Sequence, residues 1–294
     1  MKKEIPDTEK TNPNSCGLDH KTPLGLARIF NAEDFNAARA VKKAHREIAA
    51  VMVAAAKTYS AKHKIIFIGA GTSGRLGILE AVECVPTFGT NPSQIIGLIA
   101  GGKKAVFRAQ EGAEDDPKQG AQEINRNAKP GDLVIGLAAS GNTPYVQGAL
   151  KQAKQSGAQT VLISCNPSAQ TRYVQTHICL PTGPEALTGS TRMKAASATK
   201  MALNAITTGA MALCGKTYGN LMVDVRPTNQ KLVARALRLI CSIAQTDEKT
   251  ARKLLGLSGK NVKTAIVMHK QNCDCKKAKK ILQKAHGFLA EALK

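Results

Sequence analysis

The sequence predicts an α/β fold: a parallel sheet flanked by helices on both faces. Two observations carry this. From Ile65 onward, short β-rich apolar runs alternate with helical segments, the pattern of a sheet covered on both faces. The first run, "IIFIGAGTSGRLG", passes from strand to glycine turn to helix within a few residues. An apolar content of 43% over 294 residues is enough for one sizeable core and a small appended domain.

The elements follow in order. Residues 1–22 are polar and aperiodic and read as an arm. Residues 23–61 are helical, with Asn31 or Asp34 as the cap expected for the longer helix and Val41, Ile48 and Val51 at helical spacing. Strands are expected at "IIFIGA", "IIGLIAGG", "DLVIGLAAS", "QTVLISCN" and "HICLP", with helices over Leu76 to Cys84, Lys103 to Gly112 and Tyr145 to Ser156 between them. A long apolar helix runs from about Arg192 to Cys214. After the break at "VRPTNQ" the remainder is a helical appendix, with Gly259 and Asn272 at helix ends. The expected division is residues 1–61 as arm and helices, 62–226 as the sheet domain and 227–294 as a C-terminal helical domain.

Bulk properties narrow the function. No apolar stretch approaches the roughly 20 residues of a membrane helix, and the basic N-terminus lacks the hydrophobic segment of a secretory signal. The expected location is cytoplasmic, without a membrane partner. Of the eight cysteines, Cys84, Cys165, Cys179, Cys214 and Cys241 sit in apolar runs, where a thiol acts as a small hydrophobe. "HKQNCDC" lacks a second ligand pair, so no metal is expected. The net charge of +21 raises the question of nucleic acid, but the lysines are spread along helices and aromatics are only 3%. A basic solvated surface that draws in small anions is the simpler reading.

The glycine turn has two possible ligands. A G-x-G-x-x-G after a strand suits a dinucleotide, which also needs an acid about 20 residues on. Gly101 and Gly102 stand where that acid belongs. "GLAASGNTP" is a second small, hydroxyl-rich turn after a strand. Side by side at the carboxyl edge of one sheet, the two turns would form a monophosphate cradle, since helix N-termini offer free N–H groups and partial positive charge. The alternative is ordinary helix capping by the same hydroxyls. The expected phosphate contacts are Ser73 and Ser140, helped by Thr72, Gly74, Gly141, Asn142 and Thr143.

"IGAGTSGRLG", "SGNTPYV", "EGAEDD" and "GPEALTGSTRMK" resemble the sugar-isomerase (SIS) domain of the N-acetylmuramic acid 6-phosphate etherase family. The likeness extends to "TEKTNP", "YGNLMVDVRPTNQKL" and "NVKTAIVM", and so covers nearly the whole chain. "ECVPTFG" and "YGNLMVDV" are specific to this family and its relative, the glucokinase regulator. The resemblance implies an SIS-type sheet and cleavage of a D-lactyl ether from C3 of a phosphorylated amino sugar. It implies elimination followed by hydration, without a metal or redox cofactor. It places catalytic roles on Glu83 and Glu114, with Glu111 and Asp115 as backups. Glu83 has apolar neighbours, and burial would suit it to act as an acid; Pro86 and Gly89 are expected to end its helix. Without the resemblance, Glu83 reads first as a buried ion-pair partner and Glu114 as part of a solvated helix end. Glu185, Ser190 and Lys194 complete the expected pocket, with packing or salt bridges as the alternative for Glu185 and Lys194.

The chain departs from the family pattern at Asn142, where a cation is usual, at Thr11, where arginine is usual, and at Ala196, where glycine is common. SIS domains pair, so a homodimer is expected, without nucleic acid. The rival readings are a non-catalytic sugar-phosphate sensor, an aldose–ketose isomerase and a nucleic-acid binder.

Overall fold

The structure, a computed structural model, describes residues 5–294. It falls into two compact units: the described residues through Ala81 with Ser93–Thr207, and Val82–Pro92 with Thr208–Lys294. These units cut the chain differently from the expected borders at 61/62 and 226/227. Two long helices each contribute residues to both units, which composition does not reveal.

The first unit begins with an arm of three short 3-10 turns and then two helices, α1 (Pro23–Lys43) and α2 (His45–Ser60). Thr22 caps α1 by accepting the Gly25 N–H, and Pro23 opens it. Asn31 and Asp34, the expected caps, lie inside α1. There follow β1 (Ile65–Gly69), α3 (Gly71–Phe88), β2 (Ile95–Ile99), α4 (Lys103–Phe107), α5 (Pro117–Asn127) and β3 (Leu133–Leu137). The unit closes with α6 (Pro144–Gln155), β4 (Gln159–Ser164), β5 (Thr176–Cys179) and α7 (Lys194–Leu213), whose last turns pass to the second unit. α4 is shorter than expected because Arg108 turns extended. α5 was not anticipated; Asp116 caps it and Pro117 starts it.

The sheet has five strands in the order β2-β1-β3-β4-β5, every pair parallel. This is the expected α/β architecture. The chain leaves β1 toward β2 on one side and β3 toward β4 on the other, so β1 and β3 flank a switch point. In open parallel sheets, the crevice beyond the carboxyl ends at such a point is where ligands bind.

Glycines let α3 sit almost on the backbone of the sheet. A Cβ at Gly97 would stand 2.6 Å from the Ile78 Cα, and one at Gly74 would stand 2.7 Å from the Gly69 carbonyl oxygen. α5 and α6 pack with Ile66, Ile68, Val134 and Leu162, around Tyr145, Val146 and Ile124. β1 and β3 are buried along their whole length.

The second unit carries α8 (Gln230–Ala244), α9 (Glu248–Leu257), α10 (Val262–Lys270), α11 (Cys275–Lys284) and α12 (Leu289–Ala292). Asn229, Asp247, Asn261 and Asp274 each cap a helix through the side chain. Gly259 and Asn272 take left-handed backbone after α9 and α10, as the sequence suggested. Ile240, Ala265, Ile266 and Leu289 form its core. Asp224 pairs with two lysines at once, Lys263 at 3.0 Å and Lys216 at 2.9 Å. Among the described residues, no helix is long and apolar enough to cross a membrane.

Because the atoms facing Gly97 are backbone, they cannot give way. Gly97→Ala is expected to lower stability by about 1–3 kcal/mol, the range for overpacking, read as a lower urea midpoint at unchanged slope.

Candidate active site

The two hydroxyl-rich turns follow neighbouring strands. Gly69, at the end of β1, is in register with Leu137, at the end of β3. The turns Ala70–Ser73 and Ala138–Thr143 therefore emerge side by side at the carboxyl edge, each running into a helix. Thr72 and Ser73 are half-buried in the first turn of α3, and Gly74 is buried behind them.

In the second turn, Gly141 takes a left-handed conformation, and a Cβ there would meet that of Ala169 at 2.2 Å. The Ser140 hydroxyl accepts the Asn142 N–H at 3.2 Å. Thr143 stands at the cap position of α6 without making a side-chain cap bond. Helix capping thus does not account for the Thr143 hydroxyl. It stays half-exposed at the start of a helix, beside Ser140.

Asn142 ties loops together. Its side-chain oxygen accepts the Gln170 N–H at 3.0 Å, while Asn166 donates to the Ser140 carbonyl at 3.0 Å. A cavity of about 240 Å³ beside it is lined by Asn142, Asn166, Ser168, Asp7 and Lys10. Lys10 of the arm lines the same cavity, ion-paired with Asp7 at 2.7 Å. Nothing in the sequence signals this, since 132 positions of chain separate Lys10 from Asn142.

Glu114 is exposed in a 3-10 turn before α5. It lines a cavity of about 160 Å³ with Ala70, Gly71, Arg75 and Gln110. The turn of β1 and this carboxylate therefore share one pocket. Arg75, which sequence reasoning did not single out, is held there by its bond to the Val106 carbonyl at 3.0 Å. Of the neighbouring acids, Glu111 is exposed on the same pocket, Asp115 is exposed, and Asp116 caps α5.

Glu83 differs from its expectation in two respects. α3 does not end at Pro86 but continues through it to Phe88, and Gly89 then takes left-handed backbone. Glu83 is also exposed rather than buried. On the same helix Val82 is 60% and Leu79 44% exposed, so the stripe around Glu83 is apolar and uncovered in the single chain.

Glu185 and Lys194 are buried, and each bonds to the protein itself. The Glu185 carboxylate accepts the N–H groups of Ala195 at 2.9 Å and Lys194 at 3.2 Å, and so caps α7. Burial raises its pKa, against the lowering effect of those two bonds and of the Lys194 charge. The Lys194 ammonium is bound to Glu33 of α1. Asn12 donates to the same carboxylate at 2.7 Å and Asn14 at 3.0 Å. Burial alone would raise the Glu33 carboxyl; the bonds from Lys194, Asn14 and Asn12 and the Lys194 charge outweigh it and hold the group below its ordinary value. Ser190 is half-buried just before α7.

Comparisons with known proteins find relatives over nearly the whole chain. Residues 47–154 match the glucokinase regulatory protein N-terminal SIS domain, and residues 116–209 match the SIS domain. N-acetylmuramic acid 6-phosphate etherase of Francisella tularensis subsp. tularensis is 48% identical over 287 residues, covering 96% of this chain and 97% of that protein. The protein of the same name from Microcystis aeruginosa is 46% identical over 288 residues, covering 97% and 94%. The solved structure of a phosphoheptose isomerase from Neisseria gonorrhoeae aligns with a TM-score of 0.43 at 16% identity, over 64% of this chain and 98% of that one.

Removing one partner of a buried pair strands the other charge. Lys194→Met is expected to lose about 3–5 kcal/mol of stability, with Glu33→Leu/Lys194→Met recovering much of it, as read by thermal denaturation. The depressed Glu33 carboxyl gives stability that is full above the unfolded value of about 4.3. That stability is lost as pH falls through the lower folded value, and the loss should be absent in the double variant.

Proposed function

The chain belongs to the N-acetylmuramic acid 6-phosphate etherase family, and from that membership we propose how its own side chains carry the reaction. It is a carbon–oxygen lyase of cell-wall sugar recycling. It cleaves the D-lactyl ether of N-acetylmuramic acid 6-phosphate to N-acetylglucosamine 6-phosphate and D-lactate.

The observation that carries our assignment is the adjacency of the two hydroxyl-bearing turns at the β1/β3 switch point, with Glu114 on a pocket shared with the first. Ser73, Thr72, Ser140 and Thr143 donate hydroxyl bonds to the phosphoryl group. Gly74 and Gly141 let the backbone come close, and two helix N-termini add partial positive charge. Lys10 supplies long-range attraction beside Asn142. Glu185 and Lys194 keep the entrance to α7 rigid, and Ser190 borders it.

A plain ether leaves poorly, so the leaving group must be activated. The ring opens to an aldehyde, which acidifies the C2 proton. Glu114 takes that proton as the C2=C3 bond forms and the C3–O bond breaks. Glu83 gives its proton to the departing lactyl oxygen, which leaves as D-lactate. Water then adds its oxygen to C3 and a proton returns to C2, with Glu83 as the base for the incoming water. General acid and base groups contribute about 10²–10⁴-fold each.

An acid of this kind works best out of bulk water. We read the exposed Leu79, Val82 and Glu83 stripe as the face a second copy covers, making the working enzyme a homodimer. The cover would take the Glu83 carboxyl out of bulk water.

Glu83→Gln should lower D-lactate release by at least about 10²-fold while phosphosugar affinity stays within a few-fold. Wild-type turnover in that variant rejects the assignment of the acid. Ser73→Ala/Ser140→Ala should instead raise KM with little change in the acid–base step. Val82→Glu should halve the sedimentation mass and reduce turnover; an unchanged mass removes the proposed dimer face.

A further inference from the structure

The helical unit contains a cavity of about 940 Å³ that takes no residue from the hydroxyl-lined turns. Its lining includes Lys216, Lys263 and Asp224 within, and Arg226, Lys260 and Lys279 at exposed positions. Five fixed cations thus surround one carboxylate among the lining residues. That carboxylate is already shared: Asp224 binds Lys216 and Lys263. Lys263 is further held by the Gly287 carbonyl at 2.9 Å and the Gly215 carbonyl at 3.3 Å. Arg226 donates to the Gly89 carbonyl at 2.8 Å and keeps its remaining N–H groups. No acid in the lining balances Arg226, Lys260 or Lys279.

Surface lysines are ordinarily solvated and bind nothing. Three things set this group apart. The cationic residues line one concavity rather than a convex face. Uncharged hydrogen-bonding side chains stand among them, Thr228, Asn261 and Gln283. The first turn of α10 also opens into the cavity through Asn261, Val262, Lys263 and Thr264. That nine-residue helix adds the partial positive charge of its N-terminus to the lysines. A compact dianion satisfies all three features. A carboxylate offers one charge and two oxygens, whereas a phosphate offers up to two charges and three oxygens. An extended polyanion would not enter a cavity of this size.

We propose that this cavity is a second anion site, which binds a phosphate-bearing small molecule through Lys260, Lys279 and Arg226. Lys263 and Lys216 act there as a fixed positive floor, and Asp224 holds them in place. The ligand is a phosphosugar, a nucleotide or free phosphate; the shared chemistry is the phosphoryl group.

The test uses the full chain and three probes: inorganic phosphate, N-acetylglucosamine 6-phosphate and adenosine monophosphate. Each is titrated calorimetrically at low salt into Ser73→Ala/Ser140→Ala, which weakens the catalytic cradle. The same protein also carrying Lys260→Gln/Lys279→Gln is titrated in parallel. At least one probe should bind the first protein and bind the second about tenfold or more weakly, with affinity falling as salt rises. The probe that binds most tightly identifies the source. In the wild-type chain the same probe should shift the amide resonances of residues 261–264 and 283–287. Equal affinity for both proteins overturns the proposal, as does the failure of all three probes to shift those resonances. Neither result bears on D-lactate release, so the catalytic assignment stands or falls separately.

Discussion

The closeness of α3 to the sheet is the constraint from which the site follows. Gly69, Gly74, Gly77 and Gly97 remove the side chains that would otherwise separate helix from strands; a Cβ at Gly77 would stand 2.8 Å from that of Phe67. With the helix so near, its first turn lies beside the end of β1 and next to the turn that follows β3. A dinucleotide turn uses the same glycines for the same packing. The difference in ligand comes from what surrounds the glycines. Here hydroxyls stand at the helix start and no acid waits at the end of β2.

A second layer of order comes from buried charge. The Glu33 carboxylate gathers Lys194, Asn12 and Asn14, and so joins the arm and α1 to the start of α7. Asn12 also donates to the Pro184 carbonyl at 3.0 Å, one residue before the cap Glu185. This cluster gives the "TEKTNP" segment a structural reason, and it leaves Lys10 beside Asn142.

What could be read from the residues was local. Four of the five strands lie within their expected runs and β5 starts one residue early, at Thr176, because buried parallel strands are mostly apolar and glycine or a polar turn bounds them. The two turns were legible as turns, since glycines and hydroxyls mark the passage from a strand into a helix. α5 escaped notice because its signal is a cap and a proline in front of polar residues, with little apolar stripe. A salt bridge was open for Lys194, but its partner Glu33 escaped because it lies 161 residues away, and no periodicity reports such a contact. Glu83 illustrates a different failure. Val82, Cys84 and Val85 suggested burial, yet consecutive helical positions point in different directions, so Cys84 is buried while Val82 and Glu83 are not.

The pairing of Glu33 with Lys194 also orders events in time. A ribosome adding about 5–20 residues per second makes the carboxylate roughly ten to thirty seconds before its ammonium exists. Throughout that interval α1 must remain hydrated at Glu33, with only Asn12, Asn14 and Asn36 near enough in the nascent chain to bond it. The ion pair between α1 and α7 therefore closes late on the growing protein. Closure waits until the strands between have been synthesised and α7 has emerged.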